Sequence, residues 1–115
     1  MEADAAIAAL SALAQPTRLE AFRLLVRHEP DGLPAGEIAR ALDVPQNTLS
    51  SHLSVLAQAG LVTSLRRGTT ITYRANLPEL ASVVSFLLKD CCGAKSEIYA
   101  PLVADLAPHV VRDRC

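Results

Sequence analysis

The most reactive side chains in this 115-residue sequence are three cysteines near its end, Cys91 and Cys92 side by side and Cys115 at the last position. Neighbouring cysteines are poor disulfide partners for each other, because the small ring strains the peptide between them. Alone they also fall short of the four-ligand tetrahedral shell of a structural zinc. As thiolates they select soft, thiophilic centres, and two adjacent thiols plus one from elsewhere suit a centre that takes three. Lys89 close by favours the thiolate form. Oxidation linking Cys115 to the pair is the other chemistry open to them. Cysteine is often just a small hydrophobe, but thiols at the polar end of a helix have no packing purpose there.

A second set of residues points to recognition instead of reaction. Gln46, Asn47, Thr48, Ser50, Ser51 and His52 crowd the start of a segment in which Leu49, Leu53 and Leu56 recur at i, i+4 and i+7. No charged residue occurs from Pro45 to Gly60. A helix with leucines behind and amide, hydroxyl and imidazole groups in front has the character of a recognition helix. Upstream, Ile38, Ala39 and Leu42 mark a shorter helix, and Asp43-Val44-Pro45 interrupts the two, since proline ends the first and suits the opening of the second. Residues 33–62 therefore read as a helix-turn-helix.

The remaining elements must position these groups. Ala3 to Ala14 reads as a helix with an apolar stripe of Ile7, Leu10 and Leu13 or Ala14. Pro16 opens another through about His28, with Leu19, Phe22, Leu25 and Val26 facing inward; Arg18, Arg23 and Arg27 lie along it as a phosphate-facing edge or, the preferred reading, as its wet face. Glu29-Pro30-Asp31-Gly32 is a turn by composition. Gly60 suits a left-handed helix C-cap. Leu61 to Arg66 and Thr70 to Arg74 then alternate apolar and polar residues about an Arg67-Gly68-Thr69 tip, which predicts a two-stranded hairpin over 61–75. Arg66 and Arg67 put positive charge where it can meet phosphate. A last long helix is expected over 77–92, followed by a C-terminal helix and tail over 93–115. The 77–92 segment is apolar on more than one face, and a homodimer interface would cover it.

Composition agrees with one mainly α (α+β) domain spanning 1–115, with about six helices and one hairpin. Half the residues are apolar and only four are aromatic, so the core is aliphatic. No apolar run is long enough for a membrane span and no basic-then-apolar leader opens the chain, which points to the cytoplasm. Thiols there stay reduced unless they serve as ligands or sensors. The net charge of −1 leaves DNA binding to local basic groups. A phosphate-cradling thiol enzyme commonly has Arg six residues after its Cys; those positions here are Glu97 and Ile98, so catalysis is not expected.

The order of elements, the QPTRLEAFRLL and LSSHLSVLAQAGLV runs and the basic hairpin together resemble the ArsR/SmtB family of bacterial metal-responsive repressors, over roughly Ala8 to Leu88. The resemblance implies a winged helix-turn-helix homodimer that binds an inverted-repeat operator when metal-free and leaves it when metal or metalloid binds. It implies DNA contacts at Gln46, Asn47, Thr48, Ser50, Ser51 and His52, with Arg66 and Arg67 in the wing. The family's best-known arsenic sensors carry cysteines in the first helix of the helix-turn-helix, and residues 34–39 here have none. Its zinc sensors carry Asp and His along the dimerisation helix, and Leu80 to Leu88 offers no Asp, Glu or His. Other members have a vicinal Cys pair after that helix and a third Cys beyond it. Cys91, Cys92 and Cys115 match that arrangement, and trivalent arsenic, pyramidal and thiophilic, suits three thiolates. The expectation is an arsenic-resistance repressor induced by As(III), with Sb(III) and methylarsenite as further candidates and no catalytic cofactor. A thiol-based redox-sensing repressor is the alternative.

Overall fold

The start of the second helix has a local cause. Gln15 turns its side chain back so that Oε1 accepts the Arg18 backbone N–H at 2.8 Å, and Pro16 takes the first helical position, where its missing N–H does no harm. The second helix therefore begins abruptly after the first. The structure, a computed structural model, describes residues 1–88. Its elements are α1 (Ala3–Leu13), α2 (Pro16–Arg27), β1 (Leu33–Pro34), α3 (Ala35–Leu42), α4 (Gln46–Gln58), β2 (Val62–Arg67), β3 (Thr70–Ala75) and α5 (Leu77–Leu88). Residues 89–92 of the last expected helix, the helix and tail expected over 93–115, and Cys91, Cys92 and Cys115 lie outside the described residues. Five helices, against the expected six or so, are present among the described residues.

The mainly helical winged architecture is as expected, with one addition to its sheet. The strands run antiparallel in the order β1-β3-β2, so the hairpin has a third member. Leu33 pairs with Tyr73 and Pro34 with Thr72. A two-residue strand has no periodicity to betray it, and Pro34 is tolerated because β1 is an edge. The hairpin turn is also tighter than expected. Arg67 belongs to β2 and pairs with Thr70, leaving only Gly68 and Thr69 in the loop. Gly68 takes φ +62° while Thr69 does not turn positive, the pattern of a type II′ hairpin.

The core forms where α2, α3 and α4 meet α1, β2, β3 and α5. Leu25, Ile38, Leu49, Leu53, Leu56, Leu61 and Val83 are fully buried in it. Leu49, Leu53 and Leu56 are thus the inner stripe that their spacing predicts. Two other stripes are corrected. In α1 the buried residues are Ala6, Ala9 and Ala12, while Ile7 is 62% and Leu10 40% exposed and only Leu13 of the expected stripe packs, half-buried, against the core. α1 packs against α2, α4 and α5, and only small side chains allow approach on that side. In α2 the buried set is Ala21, Phe22, Leu24 and Leu25, and both Leu19 and Val26 lie at the surface. Hydrophobicity alone does not rank these faces, since both sides of each helix carry apolar groups.

Two tight features aim α4. Asp43, at φ 56°, adopts the left-handed conformation that ends α3. Asp is among the residues that tolerate it. At the other end Gly60, at φ 82°, lets its own N–H reach Ala57 O at 3.0 Å and the Leu61 N–H reach Leu56 O at 3.0 Å. These are the paired bonds of a Schellman cap. Asn76 completes the junction, its side-chain amide donating to Gly60 O and its backbone N–H to Leu61 O, each at 2.8 Å.

Candidate nucleic-acid interface

With Leu49, Leu53 and Leu56 locked inward, the opposite side of α4 has to face out. Gln46, Asn47, Thr48, Ser50 and Ser51 are all exposed, and none carries a charge. Asn47 Oδ1 accepts the Thr48 backbone N–H at 3.0 Å, which satisfies one of the free donors at the helix start and leaves the Asn47 amide group as donor. The face is therefore a run of short donor–acceptor groups on a rigid helix, of a width that a DNA major groove admits.

His52 differs from its neighbours. It is half-buried, and its Nδ1 lies 3.4 Å from Nη1 of Arg18 on α2. Arg18 does not belong to the wet face on which the sequence places it. Its Nε donates to Ala12 O at 2.6 Å and its Nη2 to Ser11 O at 3.4 Å, both at the end of α1. Arg23 and Arg27 are exposed, as expected. Nothing in the spacing of the three arginines distinguishes Arg18; only the meeting of α1, α2 and α4 does.

The wing brings two free cations to the surface and holds a third back. Side chains alternate along β2, so Arg66 shares a face with buried Val62 while Arg67 shares one with Leu65, which is 55% exposed. Both arginines are exposed, on opposite faces of the ribbon. Arg74 on β3 is engaged by Glu29, with Nη2 to Oε1 at 2.8 Å. That hydrogen bond, and then the Glu29 charge, raise the guanidinium pKa still further above its ordinary range.

Arg40 is a residue that sequence reasoning passed over. It is exposed on α3, and a Cβ on Gly36 would stand 3.9 Å from its Nη1 and 3.7 Å from Gln46 Oε1. Its guanidinium thus shares a neighbourhood with the start of α4. The available signal was isolation, since it is the only Lys or Arg between Arg27 and Arg66. The three cysteines have no described geometry, and no cluster of three His, Cys, Asp or Glu suited to a metal occurs among the described residues. No helix of the described residues is long and apolar enough to cross a membrane.

Comparison with known proteins agrees with this geometry. Residues 13–64 match a helix-turn-helix domain family. The chain is 36% identical over 98 residues to the nodulation protein NolR of Rhizobium meliloti, an alignment covering 84% of this chain and 71% of that one. It is 34% identical over 95 residues to the arsenic resistance transcriptional regulator ArsR1 of Pseudomonas putida, covering 83% and 72%. Among solved structures, an ArsR-like transcriptional regulator from Rhodococcus sp. RHA1 superposes with a TM-score of 0.65 at 28% identity, over 96% of this chain and 94% of that one.

Proposed function

This chain belongs to the ArsR/SmtB family of homodimeric DNA-binding winged-helix transcriptional regulators, which are not enzymes, and on that premise we propose that it is a repressor released from its operator by trivalent arsenic. The observation that carries the DNA half is the uncharged, exposed face of α4, backed by three fully buried leucines. Gln46, Asn47, Thr48, Ser50, Ser51 and His52 read the major groove. Arg66 and Arg67 supply phosphate contacts from the wing. The exposed Ile7, Leu10, Phe86 and Leu87 of α1 and α5 form the face on which a second copy of the single 1–115 domain sits. Two reading helices related by a two-fold axis fit an inverted repeat.

The inducer half rests on the thiols of Cys91, Cys92 and Cys115. The relatives' own names span nodulation and arsenic resistance, so family membership leaves the inducer to this chain's residues. Arsenous acid, As(OH)3, exchanges three hydroxyls for three thiolates; each thiol proton leaves with a hydroxyl as water, and no electron moves. Two adjacent thiols suffice for methylarsenite. Lacking a cysteine, the helix-turn-helix cannot itself hold the inducer, so the thiols act on it through α5 and the dimer face. By linkage, a 100-fold loss of operator affinity requires As(III) to bind the free dimer about 100-fold more tightly than the DNA-bound one, about 2.7 kcal/mol. The chain carries out this cycle in the cytoplasm.

The test is fluorescence anisotropy on a duplex that the protein selects from a random pool. As(III), Sb(III) or methylarsenite should release it where Zn(II) does not, and a Cys91→Ser/Cys92→Ser variant should bind DNA but ignore arsenite. Unchanged release by that variant overturns the thiol site. Release by peroxide but not by arsenite selects the redox alternative.

A further inference from the structure

Arg18 turns all three nitrogens of its guanidinium toward partners within the protein. Nε and Nη2 face the Ala12 and Ser11 carbonyls in the last turn of α1, at the negative end of the helix. Nη1 faces His52 Nδ1, 34 residues further along the chain and on the reading helix. The base of Arg18 is fixed as well, because its backbone N–H is held by the Gln15 cap. Three helices therefore meet at one planar group. Only arginine offers donors in two directions from a rigid fork; an ammonium reaches one side or the other.

We propose that Arg18 is a positioning residue for DNA reading, anchored on the end of α1 and holding the imidazole of His52 by Nδ1. Because an arginine only donates, Nδ1 must accept, and the ring proton sits on Nε2. His52 then offers an N–H to DNA. That group suits a base acceptor such as guanine N7 or O6 and does not suit a base amino group. The same contacts link the end of α1, a helix whose Ile7 and Leu10 are exposed, to the reading helix through one side chain and two hydrogen bonds. A shift of α1 at the dimer face then reaches His52 through Arg18. The inference rests on α4 reading DNA, as proposed above.

The experiment uses the full-length protein, a duplex selected by the wild type from a random pool, and a scrambled duplex of the same length. Arg18→Lys keeps the charge and one anchor but cannot span to His52. It should lose about tenfold in affinity for the selected duplex, with scrambled-duplex affinity unchanged. His52→Ala should lose a similar factor, and the double variant about tenfold in all instead of a hundredfold, since both remove one interaction. Arg18→Lys within twofold of wild type, or multiplicative losses in the double variant, overturns the inference while leaving the DNA reading intact. A wild type that selects no duplex overturns both. Long-range ring 15N–1H correlations of the wild type, assigned with His52→Ala, give a reading independent of the Lys variant's folding. The expected form carries its proton on Nε2, and a ring protonated on Nδ1 overturns the proposal.

Discussion

Arg74 donates twice to Glu29, Nη2 to Oε1 at 2.8 Å and Nε to Oε2 at 3.4 Å, and so ties the return strand of the wing to the loop after α2. The pair anchors the base of the wing and removes one cation from circulation. Its arginine adds no pH dependence near neutrality. A raised pKa contributes stability that is present below the unfolded value and lost only as pH rises through the folded one, and both lie in strong alkali.

Releasing Arg74 should therefore show in DNA binding more than in folding. Glu29→Gln is expected to raise affinity for a scrambled duplex and to steepen its salt dependence, by up to about one unit of log K per log [salt]. An unchanged slope means that the released Arg74 does not reach phosphate.

Arg66 and Arg67 point to opposite faces of β2, so one docking pose favours one of them. Of Arg66→Ala and Arg67→Ala, one should lower the salt slope by about one and the other by much less. Equal effects from both would show that the ribbon lies edge-on to the phosphates.

The leucines behind the reading face hold it in place. Leu53 is fully buried, and Leu53→Ala should destabilise the protein by about 2–5 kcal/mol in urea melts at fixed protein concentration. A loss below about 1 kcal/mol would mean that the core collapses around the missing atoms.

Gly60 takes φ 82° at the end of α4, a conformation that costs an L-residue about 1–2 kcal/mol. A Cβ there meets only the flexible Glu79 carboxylate, at 3.3 Å, so the backbone dominates. Gly60→Ala should lower stability by about that amount, and Gly60→Asn by less, as judged by thermal melts. An Ala variant as stable as wild type would show that the cap can rearrange.

Ile7 is 62% and Leu87 59% exposed on α1 and α5. An Ile7→Glu/Leu87→Glu variant should sediment as a monomer and lose at least about 100-fold in affinity for an inverted-repeat duplex, because the second half-site no longer contributes. A dimeric double variant would move the interface elsewhere.

Local chemistry made much of this protein legible from its sequence. The i, i+4, i+7 leucines announce α4 and its buried side, Pro16 and Pro45 mark where helices open, and Gly60 marks where the reading helix stops. Each depends on neighbours within a turn or two, so a linear pattern suffices. The polar face of α4 follows, since fixing one side of a helix fixes the other. What needed the tertiary structure were decisions between surfaces of equal hydrophobicity and partners far apart in sequence. Ala6, Ala9 and Ala12 face the core instead of Ile7 and Leu10 because α1 approaches its neighbours too closely for larger groups. Leu33-Pro34 became a strand only because β3 was there to pair with. Arg18, one of three similar arginines on α2, was singled out by two helices that converge on it, and no spacing in the sequence records that meeting.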